Sequence, residues 1–510
     1  MMHGAYPILS CEQAAKFEAG YFAGEEAREW AAMQAAGRAV AAGVVRDFEE
    51  IGGLPAAPRI LVLAGKGHNG GDALLAAAAL REARPGARLE ILYAGGEAAL
   101  RPLARRARGR IEKVATTITA AELTGPYDVA IDGVFGFNFR APLGGRAAEI
   151  LAKANSTPVR LRASVDLPSG LGEPGAFRAD FTYATGIVKA PLLELPNAGR
   201  IRFLDLAFPI NCQSLIDNMI GGWGAGGAGA EFGGRCGNWG LGSGVLDVLR
   251  GFREGLSDKR TFGHVLLVAG SRRYPGAALL ATLAALRGGA GLVTAAVPES
   301  LVAAFAAQAP EAMWVGLPET PEGGLALEGL GVVRGVFARA TALVLGPGLG
   351  RERETLALAA EVAALSPAPL VIDADALQST VVAAGAAARI LTPHAREWPR
   401  VAATVPKGAV VVRKGPVTRI ETAGGAGAPI GPVYHSFAGG PILARGGSGD
   451  MLAGLTGALL AQAPTDALGA AVRGVVWQGL AADAWARARG AVAVRGTEWL
   501  DYLAPSLREG

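Results

Sequence analysis

The feature that most constrains the fold is a short apolar run followed by a glycine-rich turn and a helix. Residues 60–64 are all apolar, which is typical of a strand buried on both faces of a parallel sheet. They lead directly into a segment at 65–72 with four glycines, and an alanine-rich helix is predicted over 73–84. This order predicts an α/β fold in which ligands bind at the carboxyl ends of the strands.

The same alternation of apolar runs and helical patterns continues along the chain. Ser10 is the predicted cap of an amphipathic helix over 10–50, and a second clear helix is predicted over 277–287. Further strands are predicted at 89–93, 127–133, 159–166, 263–270, 290–297, 342–345, 370–372, 390–391 and 409–413. Strands that alternate with helices indicate parallel sheets throughout.

Four oxygen-bearing side chains fall at the predicted ends of strands in the first half. Asn69 lies in the first glycine-rich turn, Asp132 and Asp166 end two strands, and Ser169 follows shortly after the second. Because the carboxyl ends of parallel strands meet at one edge of a sheet, we expect these side chains to form a site. The alternative is that each of them only caps a helix or a turn.

A second candidate site lies near the end of the chain. Residues 446–449 are Gly-Gly-Ser-Gly, and they precede Asp450 and an apolar helical pattern. Free N–H groups at the start of a helix bind anions, and a carboxylate there can act as a base toward a neighbouring hydroxyl. The pattern predicts phosphate transfer to an alcohol, although an ordinary glycine-rich loop would look the same.

Composition indicates a cytoplasmic protein of two or three domains. The chain has 510 residues, too many for one ordinary core, and we find no apolar run long enough to cross a bilayer. Its opening residues lack the basic and apolar regions of a signal peptide. The three cysteines are an odd number without metal-ligand spacing, which argues against a disulfide scaffold.

The charge distribution does not favour nucleic acid as a partner. The net charge is +4, and the arginines within 101–110 form the one clear basic cluster. Such a cluster can bind nucleic acid, but no aromatic residues alternate with it, so a solvated helix face is the better interpretation. We therefore expect no nucleic-acid partner and no membrane association.

A glycine-rich segment near the middle of the chain separates two predicted domains. Residues 216–244 are too rich in glycine for a regular element, so we predict a linker there, with Trp223 and Trp239 docking onto a domain. The predicted domains are therefore 1–215 and 245–510.

The first domain resembles the NAD(P)H-hydrate epimerase domain, the YjeF N-terminal family. The resemblance is carried by GKGHNGGDA at 65–73, IDGVFGFNFRAPLGG at 131–145 and VDLPSGL at 165–171. It implies a Rossmann-like three-layer αβα fold, Asp166 as the acid/base, and a potassium ion held by Asn69, Asp132 and Ser169. Hard oxygen ligands suit such a cation. The implied substrate contacts are His68, Asn69, Gly70, Gly71, Asp72, Gly136, Phe137, Asn138, Phe139, Arg140, Ala141, Pro142 and Asp166.

The second domain resembles the ADP-dependent NAD(P)H-hydrate dehydratases, which have a ribokinase-like αβα fold. The motifs LGPGLG at 345–350, VIDADAL at 371–377, LTPHAREW at 391–398 and GGSGDMLAG at 446–454 occur in the order of that family. The resemblance implies Asp450 as the base, with Mg²⁺ and ADP, or ATP in its place. The implied nucleotide contacts are Lys414, Gly415, Pro416, Val417, Thr418 and Gly449. The implied hydrate contacts are Ala278, Gly348 and His394.

The chain departs from both family patterns at a few positions. His68 and Ala73 replace an asparagine and a glycine in the first domain, which puts the epimerase activity in question. In the second domain, Gln378, Arg396 and Arg445 stand where the family usually has Asn, Gly and Thr. Arg445 would either add a charge-assisted contact to the phosphate or crowd the nucleotide.

Together the resemblances imply a bifunctional enzyme of nicotinamide nucleotide repair. It would interconvert the epimers of NADHX and NADPHX and dehydrate the S epimer with ADP, and we expect a homo-oligomer. One alternative is a ribokinase-like kinase of small alcohols, which would release a stable phosphorylated product. Another is that the first domain is a nucleotide-binding module without catalysis, since that fold also occurs in non-enzymatic proteins.

Overall fold

The computed structural model describes residues 2–208, 237–425 and 428–508, which form two compact units. The N-terminal unit contains residues 7–208 and 487–491, and the C-terminal unit contains the remaining described residues. Residues 2–6 therefore group with the second unit, since the amide of Gly242 donates to the carbonyl oxygen of Gly4 at 3.0 Å.

The N-terminal unit is built from short strands separated by helices. Its strands are β1 (Ala5–Leu9, of which 5 and 6 group with the C-terminal unit), β2 (Arg59–Ala64), β3 (Arg88–Tyr93), β4 (Ala115–Thr117), β5 (Tyr127–Gly133), β6 (Val159–Val165), β7 (Phe181–Thr185), β8 (Val188–Lys189) and β9 (Arg200–Leu204). Its helices are α1 (Cys11–Phe22), α2 (Glu26–Phe48), α3 (His68–Ala83), α4 (Pro102–Arg108) and α5 (Gly145–Ser156).

The sheet of this unit has seven parallel strands in the order β4-β3-β2-β5-β6-β7-β9. Alternate residues of β2 point to two separate cores. Ile60 and Val62 pack with residues of α2 and α3, whereas Leu61 and Leu63 pack with Ile150 and Leu151 of α5. Helices therefore cover both faces, which confirms the α/β prediction for this half.

The C-terminal unit repeats this construction with more strands. Its strands are β10 (Asn238–Leu241), β11 (His264–Val268), β12 (Leu292–Pro298), β13 (Met313–Leu317), β14 (Ala342–Leu345), β15 (Leu370–Ile372), β16 (Arg389–Leu391), β17 (Val410–Arg413), β18 (Thr418–Thr422) and β19 (Val433–Ser436). Its helices are α6 (Pro275–Arg287), α7 (Val302–Ala306), α8 (Leu330–Phe337), α9 (Arg353–Leu365), α10 (Ser379–Val382), α11 (Trp398–Val401), α12 (Ser448–Gln462), α13 (Ala467–Arg489) and α14 (Leu503–Arg508).

The C-terminal sheet has the order β13-β12-β11-β14-β15-β16-β17-β18-β19-β10. Its strands from β13 to β17 are parallel, and β18 is antiparallel to both of its neighbours. One face packs on α8 and α9 through Leu266 and Leu343. On the other face, Gly457 of α12 lies against Val344, so helices cover both sides here too.

Two predicted elements differ from the structure. The helix expected over 10–50 is two helices, because the chain enters the left-handed region at Ala23 and Gly24. The predicted Ser10 cap is confirmed, and Gln13 completes a capping box with it. Of the expected linker, 216–236 lie outside the described residues, while residues 238–241 form β10, paired in parallel with β19.

In the described part of the chain, no helix is both long enough and apolar enough to span a membrane.

Gly454 of α12 offers a test of the packing between α12 and α6. A Cβ at Gly454 would lie 2.0 Å from the backbone oxygen of Ala281, so the two helices cannot keep their separation if a methyl group is added. We expect Gly454→Ala to lower the free energy of unfolding by about 1–3 kcal/mol in urea denaturation followed by tryptophan fluorescence.

The matched control is Gly335→Ala on α8, where nothing lies within 4 Å of the added Cβ. Because alanine favours helix over glycine, this variant should gain about 0.5–1 kcal/mol. Equal stability of Gly454→Ala and the wild type would contradict the packing described for α12.

Candidate active sites in the two units

Asp132 is the centre of a buried hydrogen-bonding group at the end of β5. Its side chain is inaccessible to solvent and accepts hydrogen bonds from the Ser169 amide at 2.8 Å and the Ser169 hydroxyl at 2.6 Å. The hydroxyl of Ser164 donates to the same carboxylate at 3.2 Å. Burial raises the pKa of Asp132 to about 6, although these hydrogen bonds oppose the shift.

Asn69 joins this group through the backbone of Phe135. The Asn69 side-chain amide donates to the Phe135 carbonyl oxygen at 2.8 Å, and the Phe135 amide donates to the Ser169 hydroxyl at 2.8 Å. Gly136 lies next to Asn69, since a Cβ added there would be 3.4 Å from the Asn69 side chain. The structure therefore brings the three predicted potassium ligands together.

The chemistry of these donors fits a hard monovalent cation. Carboxylate, hydroxyl, amide and carbonyl oxygens are ligands that such ions accept, and only one of them is charged. Within the described ranges, no three His, Cys, Asp or Glu side chains stand together as a metal site. An ion at this position would be held by the oxygens of Asn69, Asp132 and Ser169.

The glycine-rich turn at 65–72 forms the start of α3, which begins at His68, five residues before the predicted helix. A Cβ at Gly70 would lie 2.0 Å from the Gly65 carbonyl oxygen, so this turn requires glycine. His68 lies at the first helical position, where its imidazole is 3.5 Å from the carboxylate of Glu29. The imidazole of His68 therefore lies beside α2, which carries Glu29.

Asp166 occupies an unusual backbone conformation beside a buried lysine. Its φ is 65°, in the left-handed region that non-glycine residues rarely adopt. The ammonium group of Lys189 donates to Oδ1 of Asp166 at 2.5 Å, and both side chains are buried. Burial raises the pKa of Asp166, and Lys189 opposes that shift. We did not predict Lys189, because no motif in the sequence singles it out.

Two further carboxyl groups share this environment. Burial raises the pKa of Asp72 well above its usual range, and the negative charge of Asp166 adds to the shift. Burial also raises the pKa of Glu18, on α1, to about 7, with Lys189 opposing it. Glu18 was likewise missed, since an isolated glutamate on an amphipathic helix carries no functional signal.

The predicted contact loop, 136–142, directly follows β5 and is partly exposed. The Phe137 ring lies over Lys189, with the ammonium nitrogen 5.2 Å from the ring centroid. The Phe139 ring packs against Phe135 at a centroid distance of 5.1 Å. Gly136 and Phe137 thus lie beside the buried groups, whereas 138 and 140–142 are exposed.

In the C-terminal unit, Asp450 lies in the first turn of α12. The residue before this helix, Gly447, has a φ of 88°, which favours glycine over any other residue. Burial raises the pKa of Asp450 to about 6, and the carboxylates of Asp373 and Asp375 add to this effect while Lys414 opposes it. A carboxyl that titrates near neutrality is suited to acid/base catalysis.

Lys414 links the predicted nucleotide segment to Asp373. Its ammonium group donates to Oδ1 of Asp373 at 2.8 Å, and the Thr392 hydroxyl donates to the same oxygen at 2.7 Å. A Cβ at Gly449 would lie 3.2 Å from the Lys414 nitrogen and 3.7 Å from Oδ2 of Asp373. Gly449 therefore keeps the start of α12 close to both charges.

The rest of the predicted segment, 415–418, is the turn between β17 and β18, in which the Thr418 hydroxyl donates to the Gly415 carbonyl oxygen at 3.3 Å. Pro416 and Val417 complete this turn. His394 lies beside it, in a parallel β-bridge with Lys414.

The predicted hydrate contacts differ in their accessibility. Gly348 has a φ of 65°, and a Cβ there would lie 2.6 Å from the Tyr274 carbonyl oxygen. His394 is about half exposed, and its Nδ1 accepts a hydrogen bond from the Arg396 amide at 2.9 Å. Ala278 is fully buried beneath Gly270, so its side chain is not accessible for a contact.

Arg445 and Gln378, two of the departures from the family pattern, donate hydrogen bonds to backbone carbonyl oxygens. The Arg445 guanidinium donates to the carbonyl oxygens of Ile442 at 2.7 Å and Val494 at 2.8 Å, and it lies over the Trp485 ring. These contacts hold the guanidinium against backbone and an aromatic ring. The amide of Gln378 donates to the Asp375 carbonyl oxygen at 3.2 Å.

Two known protein families match the chain, one in each of its two units. A model described as YjeF-related protein N-terminus matches residues 30–190, and a model described as NAD(P)H-hydrate dehydratase matches residues 265–504. Among solved structures, a ribokinase-like superfamily protein from Enterococcus faecalis has a TM-score of 0.45 at 27% identity, covering 53% of this chain and 95% of its own. An ADP/ATP-dependent NAD(P)H-hydrate dehydratase from Bacillus subtilis has a TM-score of 0.43 at 26% identity, covering 51% and 93%.

Curated relatives match nearly the full length. A bifunctional NAD(P)H-hydrate repair enzyme from Gloeobacter violaceus is 34% identical over 95% of this chain and 94% of its own. A protein of the same name from Moorella thermoacetica is 31% identical over 93% and 92%. This similarity across both units shows that the chain belongs to the family of bifunctional NAD(P)H-hydrate repair enzymes.

Proposed function

We propose that this enzyme repairs hydrated NADH and NADPH in two steps carried out by its two units. The N-terminal unit interconverts the R and S epimers, and the C-terminal unit dehydrates the S epimer with ADP, releasing AMP and phosphate. Family membership supports the pairing of the two activities. The observation that carries the dehydratase assignment is Asp450, a partly buried carboxyl of raised pKa at the start of a helix, near Lys414.

In the dehydratase step, Asp450 takes the proton from the hydroxyl of the hydrate as that oxygen attacks the terminal phosphate of ADP. The N–H groups at 446–449 and the ammonium group of Lys414 stabilise the charge on the phosphate. The phosphorylated hydrate then eliminates phosphate: the C–O bond breaks, a proton leaves the adjacent ring carbon, and the ring double bond of the dihydronicotinamide is restored. Magnesium, bound mainly by the phosphates, would supply further charge neutralisation.

In the epimerase step, Asp166 transfers a proton to or from the hydrated ring. Asn69, Asp132 and Ser169 would hold the potassium ion, whose fixed positive charge would help to anchor the substrate. Gly136 and Phe137 border the same group and would contact the nucleotide. This places the acid/base and the cation at one edge of the sheet, where parallel strands end.

Replacing Asp450 tests the dehydratase assignment. In an assay of NADH recovery at 340 nm, with both hydrate epimers, ADP or ATP, magnesium and potassium, the wild type should restore NADH fully. Asp450→Asn should be slower by about a hundred- to ten-thousand-fold, because the base is lost.

The control is Asp466→Asn, which changes an exposed carboxylate paired with Arg473 in the same unit. Asparagine still caps a helix, so this variant should match the wild type. If the wild type instead accumulates a stable phosphorylated product from a small alcohol, a kinase function replaces this proposal.

The pH dependence of dehydration follows from the raised pKa of Asp450. A base must be unprotonated, and Asp450 is protonated below a pKa of about 6. The rate of dehydration at saturating substrate should therefore rise as the pH increases from 5 to 7 and then level off. A rate that is constant or falls over this range would contradict the assignment of Asp450 as the base.

Replacing Asp132 tests the potassium site. Asp132→Asn removes the one charged ligand, so the potassium concentration that gives half-maximal epimer exchange should rise by about tenfold or more. Epimer exchange is followed by chromatography with choline chloride keeping the ionic strength constant. Asp128→Asn, at the opposite end of β5, should keep the wild-type potassium dependence. Epimerisation that does not respond to potassium in the wild type would refute the site.

A further inference from the structure

Lys189 is a buried cation that belongs to none of the recognised motifs. It ends β8, its side chain is 1% exposed, and its ammonium group donates to Oδ1 of Asp166 at 2.5 Å and to the Thr185 carbonyl oxygen at 3.5 Å. Burying an ammonium group is costly unless it is paired, so its position must be compensated by these acceptors. The pairing of Leu9 with Lys189 between β1 and β8 fixes the backbone that carries it.

Among the described residues, three titratable groups on α1 and α3 interact with this pair. Cys11 and Glu18 lie on α1, and Asp72 lies on α3. The positive charge of Lys189 lowers the pKa of all three, whereas the negative charge of Asp166 raises it. The carboxyls of Asp166, Glu18 and Asp72 therefore share one cation, and Asp166 is the one in direct contact with it.

Lys189 also faces the loop that follows β5. Its ammonium nitrogen lies 5.2 Å from the centroid of the Phe137 ring, which is a cation–π distance. The lysine thus contacts both the proposed acid/base and the start of the proposed substrate loop. An ion pair that only stabilised the fold would not require the contact between Lys189 and Phe137.

We propose that Lys189 is the positioning residue of the epimerase, holding Asp166 ionised and oriented so that it acts as the base. This inference rests on the proposed epimerase function. Asp166 occupies the left-handed region, which is strained for a non-glycine residue, and the contact with Lys189 helps to offset that strain. Without the cation, repulsion from the neighbouring carboxyls would raise the pKa of Asp166 and favour its protonated form.

The test is the pH profile of epimer exchange in Lys189→Met. An opposite charge at hydrogen-bonding distance lowers the pKa of a carboxyl by about 1–3 units. Removing that charge should therefore shift the acid limb, the part of the profile where the exchange rate rises with pH, to higher pH by the same amount. Exchange near pH 7 should fall by about tenfold or more and recover at higher pH. Lys189→Arg should keep the limb of the wild type, since it restores the positive charge.

Arg202→Met is the matched control, because it removes a buried cation from Asp47 in the same unit. It should lower the thermal midpoint without moving the acid limb. If Lys189→Met does not fold, the profile is measured on Lys189→Gln, whose amide still donates to Asp166 but carries no charge. A folded, uncharged variant with the acid limb of the wild type would overturn the proposal, whereas a wild type that does not accelerate exchange would refute the epimerase function itself.

Discussion

The burial of carboxylates at the ends of parallel strands is the constraint on which both candidate sites depend. A charged group removed from water must be paired or hydrogen-bonded, and each of these carboxyls has a different partner. Asp132 is held by Ser169, Asp166 by Lys189, and Asp373 by Lys414. The roles that we propose follow these partners: Asp132 would be a cation ligand, Asp166 a base, and Asp373 an anchor for a lysine.

Glycine is required where the backbone of each candidate site turns most tightly. A Cβ at Gly70 would lie 2.0 Å from the Gly65 carbonyl oxygen, and Gly447, the residue before α12, has a φ of 88°. A side chain would meet backbone at the first position and would be strained at the second. The glycine-rich motifs therefore serve the geometry of the sites as much as the binding of phosphate.

Apolar runs predicted the parallel strands well, because a strand buried on both faces must be apolar along its length. Of the strands that we missed, β10, β18 and β19 lack such runs, whereas β13 is parallel and apolar along its length and was missed all the same. β18 is antiparallel and carries Arg419 and Glu421, which pair with each other, so its residues alternate in polarity without a long apolar stretch. The break of the first helix was missed because Ala23 is an ordinary helix former.

The sequence alone determined the α/β class, the identity of both families, and the motif residues, because these depend on local patterns and fixed spacings. Only the tertiary structure brought Asn69, Asp132 and Ser169 together through the backbone of Phe135. It also placed Lys189 on Asp166 and turned Arg445 toward the Ile442 and Val494 carbonyl oxygens. The physical reason is that the pairing of a buried charge is decided by elements distant in sequence, and no local pattern records which of them will meet.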